Sequence, residues 1–364
     1  MSGTDEAGTL RSAASSVDLR ELTRRLPTAT SAAVVLAVLF VIYATVHADP
    51  FSPFQVRNLV NTTATIAILA VGQTIIVISG GFDFSAVAIL AFLNTFIVTQ
   101  MGDSGLSMIG ISLAALAIGT AAGFVNGLLV GVLRVQSIIA TIATFFVWAG
   151  LALAVLERPG GSVAPAFSDA LSRDAFGTIP NSGLVILVVA GMWLLLRRTR
   201  FALHLYGTGS NQQAAYASGI RVRRTLILTY AAAGWFYAIA ALAFTGATAS
   251  GDPRVSYVLL AEMFAAVIIG GTAFGGGRGG AIGSILGAFV LTLLAAVLFA
   301  LGFSSYYTGI VFGLVLVLAV VPGAIGGDVR DYVKHVRTRR RASFVATEDG
   351  EPDGDTRSSA GEGR

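Results

Sequence analysis

The segment best placed to do chemistry within the apolar part of the chain is 79–85, SGGFDFS, in which a carboxylate follows two glycines. Gly80 and Gly81 favour a break between helices, and the Asp83 side chain can accept hydrogen bonds from the first N–H groups of the next helix. In lipid, such broken backbone persists only inside protein or beside a water-filled cavity. We therefore predict that Asp83 is either a structural helix cap or a group that contacts a transported solute.

Residues that support enzymatic chemistry are scarce. The chain has no cysteine, and its three histidines, His47, His204 and His335, are far apart in sequence, so we expect no metal site. The single lysine, Lys334, is not part of the Gly-Lys-Ser/Thr sequence that cradles phosphates. A Gly-x-Ser-x-Gly nucleophile motif is also absent from the sequence. We expect no enzymatic activity, no bound cofactor and no bound ATP on this chain.

The composition is that of an integral membrane protein. Hydrophobic residues make up 55% of the chain and charged residues 12%, whereas soluble domains carry about 25% charged residues. A membrane-spanning helix needs about 20 apolar residues. The sequence predicts an all-α polytopic fold with about ten transmembrane helices, at 29–46, 58–79, 84–101, 108–133, 137–156, 182–196, 225–250, 259–274, 281–302 and 308–325.

The arginines fix the predicted orientation. With the amino terminus inside, all but four of the 24 lysines and arginines lie on the inner side, as the positive-inside rule requires. The four outside are Arg57, Arg158, Arg173 and Arg254. Both termini are then cytoplasmic. The predicted organisation is a disordered tail at 1–28, a transmembrane domain at 29–325, and a basic then disordered tail at 326–364.

A second interruption mirrors the first. The run ending at Gly270, Gly271 and Thr272 again breaks at paired glycines, and the glycine-rich stretch continues to Gly280. Paired breaks of this kind indicate an internal pseudo-repeat of transporter type. The polar residues Gln73, Ser85, Asn94 and Asn126, which lie within the predicted spans, then either bond between helices or line a path. As a neutral set, they suit a polyhydroxy solute better than an ion.

The loop 197–224 is basic and carries a docking element. Asn211 can cap a short helix over 212–218, which Gly219 then ends. We predict that Asn211, Gln213, Ala214, Ala215 and Gly219 contact a partner on the cytoplasmic side. On the outer side, the loop 157–181 is either a connector or a gate beneath a binding protein, with a short helix at 169–176.

Five blocks of the sequence together resemble the permeases of bacterial ABC importers for ribose, xylose and arabinose. In chain order they are 79–85, 126–144, 207–222, 264–284 and 304–313. Within them, Gln213-Ala214-Ala215 followed by Gly219 resembles the ATPase-coupling loop of ABC-importer permeases. The chain departs from the family's usual residues within 81–88 and at Ser137, Leu260 and Glu262, so the identity of the sugar stays open.

The resemblance implies a compact, type II importer-like fold in the bacterial inner membrane. It further implies a dimer with a second permease chain, ATPase domains on separate chains, often fused in tandem, which bind ATP and Mg, and an extracytoplasmic sugar-binding protein. No nucleic acid partner is expected. The alternatives are a permease of the same superfamily for branched-chain amino acids or nucleosides, and a secondary transporter that works alone.

Overall fold

The computed structural model describes residues 28–317, except positions 48, 176–178, 255–256, 305, 308 and 315–316. These residues are mostly helical, as the sequence predicts. The helices are α1 (Thr28–Val46), α2 (Pro53–Ile78), α3 (Ala86–Gln100), α4 (Gly105–Gly131), α5 (Ser137–Val155), α6 (Pro165–Ser172), α7 (Asn181–Leu196), α8 (Arg200–Ser210), α9 (Gln212–Ala217), α10 (Val222–Thr248), α11 (Tyr257–Ile269) and α12 (Ala281–Ala300). One antiparallel pair, β1 (Asp174–Ala175) with β2 (Ile179–Pro180), lies between α6 and α7.

Six of the described helices are long and apolar enough to cross a membrane: α1, α2, α4, α5, α10 and α12. The α7–α8 pair, bent by 80°, makes a seventh if it counts as one span, and α3 and α11 are shorter apolar helices. Nine predicted spans each coincide with a helix. The tenth, 308–325, falls largely outside the described residues, so the count of ten stays a prediction. The predicted tails 1–28 and 326–364 also lie almost entirely outside them.

Helix α2 is the centre of the bundle. Pro53 stands in its first turn, where a missing N–H costs nothing, and the Ser52 hydroxyl accepts a hydrogen bond from the Gln55 N–H. Every residue from Thr63 to Ile78 is buried. A helix that is apolar on all sides is expected to be enclosed by others, and α2 packs against α10, α12, α11 and α7.

Helices α4 and α10 pack through glycine. Gly119, Gly123 and Gly127 recur every fourth residue along one side of α4, which brings the two backbones together. A Cβ atom on Gly123 would lie 2.1 Å from the Tyr230 carbonyl oxygen, and one on Gly234 would lie 2.1 Å from the Gly119 carbonyl oxygen. Neither site has room for a larger residue.

The loop 157–181 is held against the bundle. Its helix is α6, which starts at Pro165 and ends before β1, several residues earlier than the predicted 169–176. The shift follows from Pro165, whose fixed φ suits the first turn of a helix. The Ser168 hydroxyl donates to the Gly246 carbonyl oxygen at 2.6 Å, and Gly160 pairs with Gly251 through two backbone hydrogen bonds.

The hairpin β1–β2 is tied to α2 by an ion pair. Arg57 Nε donates to Asp174 Oδ1 at 2.9 Å, and a second nitrogen of the same guanidinium contacts Oδ2. This hydrogen bonding lowers the pKa of the Asp174 carboxyl below its ordinary 3.8. A carboxyl with a depressed folded-state pKa stabilises the fold above its ordinary pKa, and that contribution is lost as the pH falls through the depressed value.

We therefore expect Asp174→Asn to loosen the hairpin already at pH 5. In the native chain the same loosening should occur only below pH 3.8, where the Asp174 carboxylate becomes protonated. Digestion of the 157–181 loop by a protease that is active from pH 3 to pH 5, with its rate normalised to an unfolded substrate at each pH, measures the effect. Asp103→Asn, a change at an exposed acid of a different loop, is the control and should leave the digestion profile unchanged. Equal cleavage of Asp174→Asn and native protein at pH 5 would show that the ion pair does not restrain the loop.

Candidate functional site

The predicted break between α2 and α3 is present. Helix α2 ends at Ile78, and Gly80 adopts a left-handed conformation at φ +86° that glycine tolerates best. The backbone stays non-helical until α3 begins at Ala86. The carboxylate of Asp83 is therefore placed on irregular backbone inside the bundle, where its side chain is fully buried.

Asp83 organises the start of α3. Its Oδ1 atom accepts hydrogen bonds from the Ser85 N–H at 2.8 Å and from the Ser85 hydroxyl at 2.6 Å. The cap position of α3 is Ser85 itself, whose side chain makes no capping bond. Asp83 thus holds the residue just before the helix, rather than standing at its cap. Its Oδ2 atom has no hydrogen-bond partner among the described residues.

A line of hydrogen bonds extends from this carboxylate into two other helices. The Asn126 amide on α4 donates to the Ser85 hydroxyl at 2.8 Å, and the Thr144 hydroxyl on α5 donates to Asn126 Oδ1 at 2.8 Å. Ser85 is thus a donor to Asp83 and an acceptor from Asn126. The line ties the break to α4 and α5, so the three elements are coupled through one polar network.

Gln73 on α2 binds the backbone of the same break. In one orientation of the Gln73 amide, both its nitrogen and its oxygen have suitable partners. Gln73 Nε2 then donates to the Asp83 carbonyl at 3.1 Å and to the Tyr237 hydroxyl at 3.1 Å. Its Oε1 atom then accepts from the Asp83 N–H at 3.2 Å. Tyr230, also on α10, donates its hydroxyl to the Phe82 carbonyl at 3.4 Å. Hydrogen bonds from α2 and α10 therefore also hold the backbone of the break in place.

The fourth predicted polar residue, Asn94, lies apart from this cluster. Its Nδ2 atom donates to Thr245 Oγ1 at 2.9 Å and to the Ser250 carbonyl at 3.1 Å. Its Oδ1 atom accepts from the Asp252 N–H at 2.7 Å. Gln73, Asn94 and Asn126 are all fully buried, and each bonds to neighbouring elements in this conformation. Their partners Tyr237 and Thr245 carry no sequence signal that would have distinguished them from other residues of α10.

The second break follows α11. Gly270 packs so tightly that a Cβ atom would lie 2.4 Å from the Gly283 carbonyl carbon on α12, and Gly271 adopts φ +80°. Thr272 is buried, and its hydroxyl oxygen accepts from the Gly280 N–H at 3.4 Å. The side chain of Thr272 therefore closes the loop 271–280 on itself rather than facing the polar cluster around Asp83.

The predicted docking element is formed as its sequence indicates. Asn211 Oδ1 accepts from the Ala214 N–H at 2.9 Å, and the six-residue helix α9 follows from Gln212. Gly219, at φ +82°, ends it. Gln213 and Ala214 are exposed, while the Ala215 side chain is buried against the bundle. The segment before Asn211 was wrongly expected to be loop.

That segment is α8, an eleven-residue helix bent by 80° from α7. Its start is marked by Thr199, whose hydroxyl oxygen accepts from the Ala202 N–H at 3.4 Å. Ala202, Leu205 and Thr208 are buried on one side of it. The arginines around it conceal this amphipathic pattern in the sequence, because they make the whole stretch resemble a polar loop.

An open cleft of about 1360 Å³ connects α9 with the first break. We call the surface around it the basic face, defined by Arg134, Arg221, Arg223 and Arg224, which all line the cleft. Its other lining residues include Gly80, Gly81, Gln213, Tyr216 and Tyr230, and no carboxylate is among the described lining residues. Within the described part of the chain, no three His, Asp or Glu side chains are grouped as a metal site requires.

Comparison with known proteins decides the class of this helical bundle. Residues 55–320 match the family described as the permease component of the branched-chain amino acid transport system. The chain belongs to this permease family. It is thus a multi-pass membrane subunit of an ABC importer, a transport component rather than an enzyme.

Several curated permeases are similar over most of their length. The ribose import permease RbsC of Haemophilus influenzae is 31% identical over 257 residues, which cover 67% of this chain and 77% of the relative. RbsC of Bacillus subtilis is 32% identical over 246 residues, 67% and 76% of the two chains. The galactose/methyl galactoside import permease MglC of Salmonella typhimurium is 28% identical over 265 residues, 67% and 78%. No solved structure matches the chain.

Proposed function

We propose that this permease imports a monosaccharide, of the size and polarity of ribose, xylose, arabinose or galactose. The observation that carries the proposal is the similarity to ribose and galactose permeases at 28–32% identity. Among the described residues, the buried polar side chains around the first break agree with it, since Gln73, Ser85 and Asn126 are neutral and Asp83 is the one carboxylate among them. The family description favours one second candidate, a branched-chain amino acid.

We further propose that the basic face is cytoplasmic and that both termini lie on that side. The support is the concentration of arginines there, which the positive-inside rule assigns to the cytoplasm. A second permease chain completes the membrane part of the complex. ATP and Mg bind to ATPase subunits on separate chains, and an extracytoplasmic binding protein delivers the sugar to the opposite face.

In this proposal α9 is the point at which the ATPase acts. Its exposed residues Gln213 and Ala214 are available to a partner, whereas Ala215 anchors it to the bundle. The cleft beside α9 reaches the first break at Gly80, which gives α9 space in which to move. Because the Asp83 network joins the break to α4 and α5, a displacement there would move α3, α4 and α5 together. Movement of one group of helices against the others is the kind of motion by which transporters alternate access.

We expect Ala215→Glu and Gly219→Asp to uncouple the importer. Ala215→Glu puts a charge beneath α9, and Gly219→Asp strains a backbone at φ +82°. Both variants should insert into the membrane normally, while the binding protein no longer stimulates ATP hydrolysis and uptake falls. Gln100→Glu, which adds the same charge at an exposed position where α3 ends, is the control. Normal coupled uptake in both variants would rule out α9 as the ATPase contact.

The solute is tested by uptake in membrane vesicles that contain the permease, its ATPase and its binding protein. We expect labelled ribose or galactose to accumulate and an excess of leucine not to compete. Uptake of leucine, with no uptake of either sugar, would favour the branched-chain amino acid candidate instead.

A further inference from the structure

Where α8 ends, it meets the first break with no side chain between them. A Cβ atom on Gly209 would lie 1.7 Å from the Ile78 carbonyl oxygen, which is the last carbonyl of α2. That distance is far inside van der Waals contact, so only glycine fits. Gly209 is two residues before Asn211, the cap of α9. The backbone that leads into α9 therefore lies directly against the backbone of α2.

The second break reaches the same point. The Gly277 N–H donates to the Ile78 carbonyl oxygen at 2.9 Å. A Cβ atom on Gly276 would lie 2.6 Å from the Gly209 carbonyl oxygen and 3.0 Å from the Gly80 Cα atom. Three segments that are distant in sequence, the first break, the end of α8 and the second break, thus converge through close contacts between backbone atoms of glycines and of Ile78.

We propose that Gly209 and Gly276 are positioning residues that lock these three segments into one rigid joint, so that α9 moves both helix breaks at once. This glycine joint comprises Gly80, Gly209, Gly276 and Gly277. The inference rests on the proposed function of α9 as the ATPase contact. It goes beyond that proposal because it assigns the route by which motion of α9 reaches α3 and α12.

The composition of the glycine joint explains its rigidity. Side chains can change rotamer and absorb a displacement, but backbone packed on backbone has no such freedom. The hydrogen bond from Gly277 to Ile78 fixes the contact, and Tyr206 on α8 adds a second tie by donating its hydroxyl to the Gly279 carbonyl at 2.7 Å. A methyl group inserted at Gly209 or Gly276 must push these segments apart.

The first experiment measures sugar transported per ATP hydrolysed in the reconstituted importer for Gly209→Ala and Gly276→Ala. We expect each ratio to fall by about tenfold or more, within the usual range of coupling between sites, while ATP hydrolysis continues. Gly207→Ala and Gly302→Ala are the matched controls: a Cβ atom on Gly207 meets only the end of the Ile220 side chain, and Gly302, at φ +83°, shares the left-handed backbone of Gly276 (φ +75°) but has nothing within 4 Å. Native ratios for Gly209→Ala or Gly276→Ala would overturn the proposal.

The double variant Gly209→Ala/Gly276→Ala shows whether the two residues act at one shared contact or cause two independent defects. Both residues act at the same contact, so the double variant should lose no more coupling than the more damaging single variant. Losses that multiply would contradict a shared joint. Cross-linking of a cysteine at Gln213 to the ATPase tests the proposed function separately. If no cross-link forms, α9 is not the ATPase contact, whatever the glycine variants show.

A third measurement remains informative if the alanine variants do not accumulate. The chain has no cysteine, so spin labels on Gln212→Cys and Gly275→Cys, both exposed positions, report on the joint alone. A rigid joint keeps the distance between the two labels the same in nucleotide-free and ATP-trapped complexes. A distance that changes between the two states would show that the joint opens, and would overturn the inference.

Discussion

Gly123→Leu is expected to lower the accumulation of the folded permease several-fold and to stop transport by the remainder. A Cβ atom at this position would lie 2.1 Å from the Tyr230 carbonyl oxygen, so the side chain must force α4 away from α10. Overpacking alone costs about 1–3 kcal/mol, and occasionally more, against a total stability of about 5–15 kcal/mol. Separation of α10 also moves Tyr230 and Tyr237 away from the first break, so folded protein that remains should not transport.

The matched control for this change is Gly110→Leu on the same helix, where a Cβ atom meets nothing within 4 Å. We expect it to accumulate as the native protein does. Membrane levels and thermal unfolding in detergent measure both variants. Native levels and stability for Gly123→Leu would mean that α4 and α10 are not packed as closely as the structure shows.

The second large effect is expected at Asp83. Asp83→Ala removes the acceptor of the Ser85 N–H and hydroxyl bonds. Loss of such a cap-like acceptor costs about 0.5–2 kcal/mol, and a buried donor left unsatisfied costs about 1–3 kcal/mol more. Asp83→Asn keeps an oxygen where Oδ1 lies. We therefore expect Asp83→Ala to fail to accumulate and Asp83→Asn to transport nearly normally, since a neutral sugar requires no carboxylate.

Transport by the two Asp83 variants must be compared at matched membrane levels. Asp103→Ala, which removes an exposed loop acid, controls for the loss of a carboxylate as such. An Asp83→Asn variant that inserts normally but does not transport would show that the charge itself contacts the solute or a gate. A fully active Asp83→Ala would remove Asp83 from both roles.

The local features of the site were predictable because residues that are neighbours in the sequence determine them. Gly80 and Gly81 mark the first break, and Asn211 with Gly219 mark the ends of α9. Each of these signals acts through the conformation of one or two residues or through a hydrogen bond three residues along the chain. The long apolar runs likewise predict the helices to within a few residues.

The contacts between distant segments were not predictable. Nothing in the sequence pairs Gln73 with the backbone of Asp83, or places Gly209 on the Ile78 carbonyl. Hydrophobic periodicity reports which side of a helix is apolar, but it does not say which distant segment a loop glycine or a buried amide contacts. Helix α8 was missed for a related reason, since the arginines around it hide its buried side.

The most direct test of the central claim, that this chain is the permease of an ATP-driven importer, is sugar uptake into proteoliposomes. We predict that uptake of ribose or galactose requires the permease, its ATPase, its binding protein and ATP, and that it continues when ionophores collapse the proton and sodium gradients. Uptake by the permease alone, driven by an ion gradient and indifferent to ATP, would contradict the claim and identify a secondary transporter.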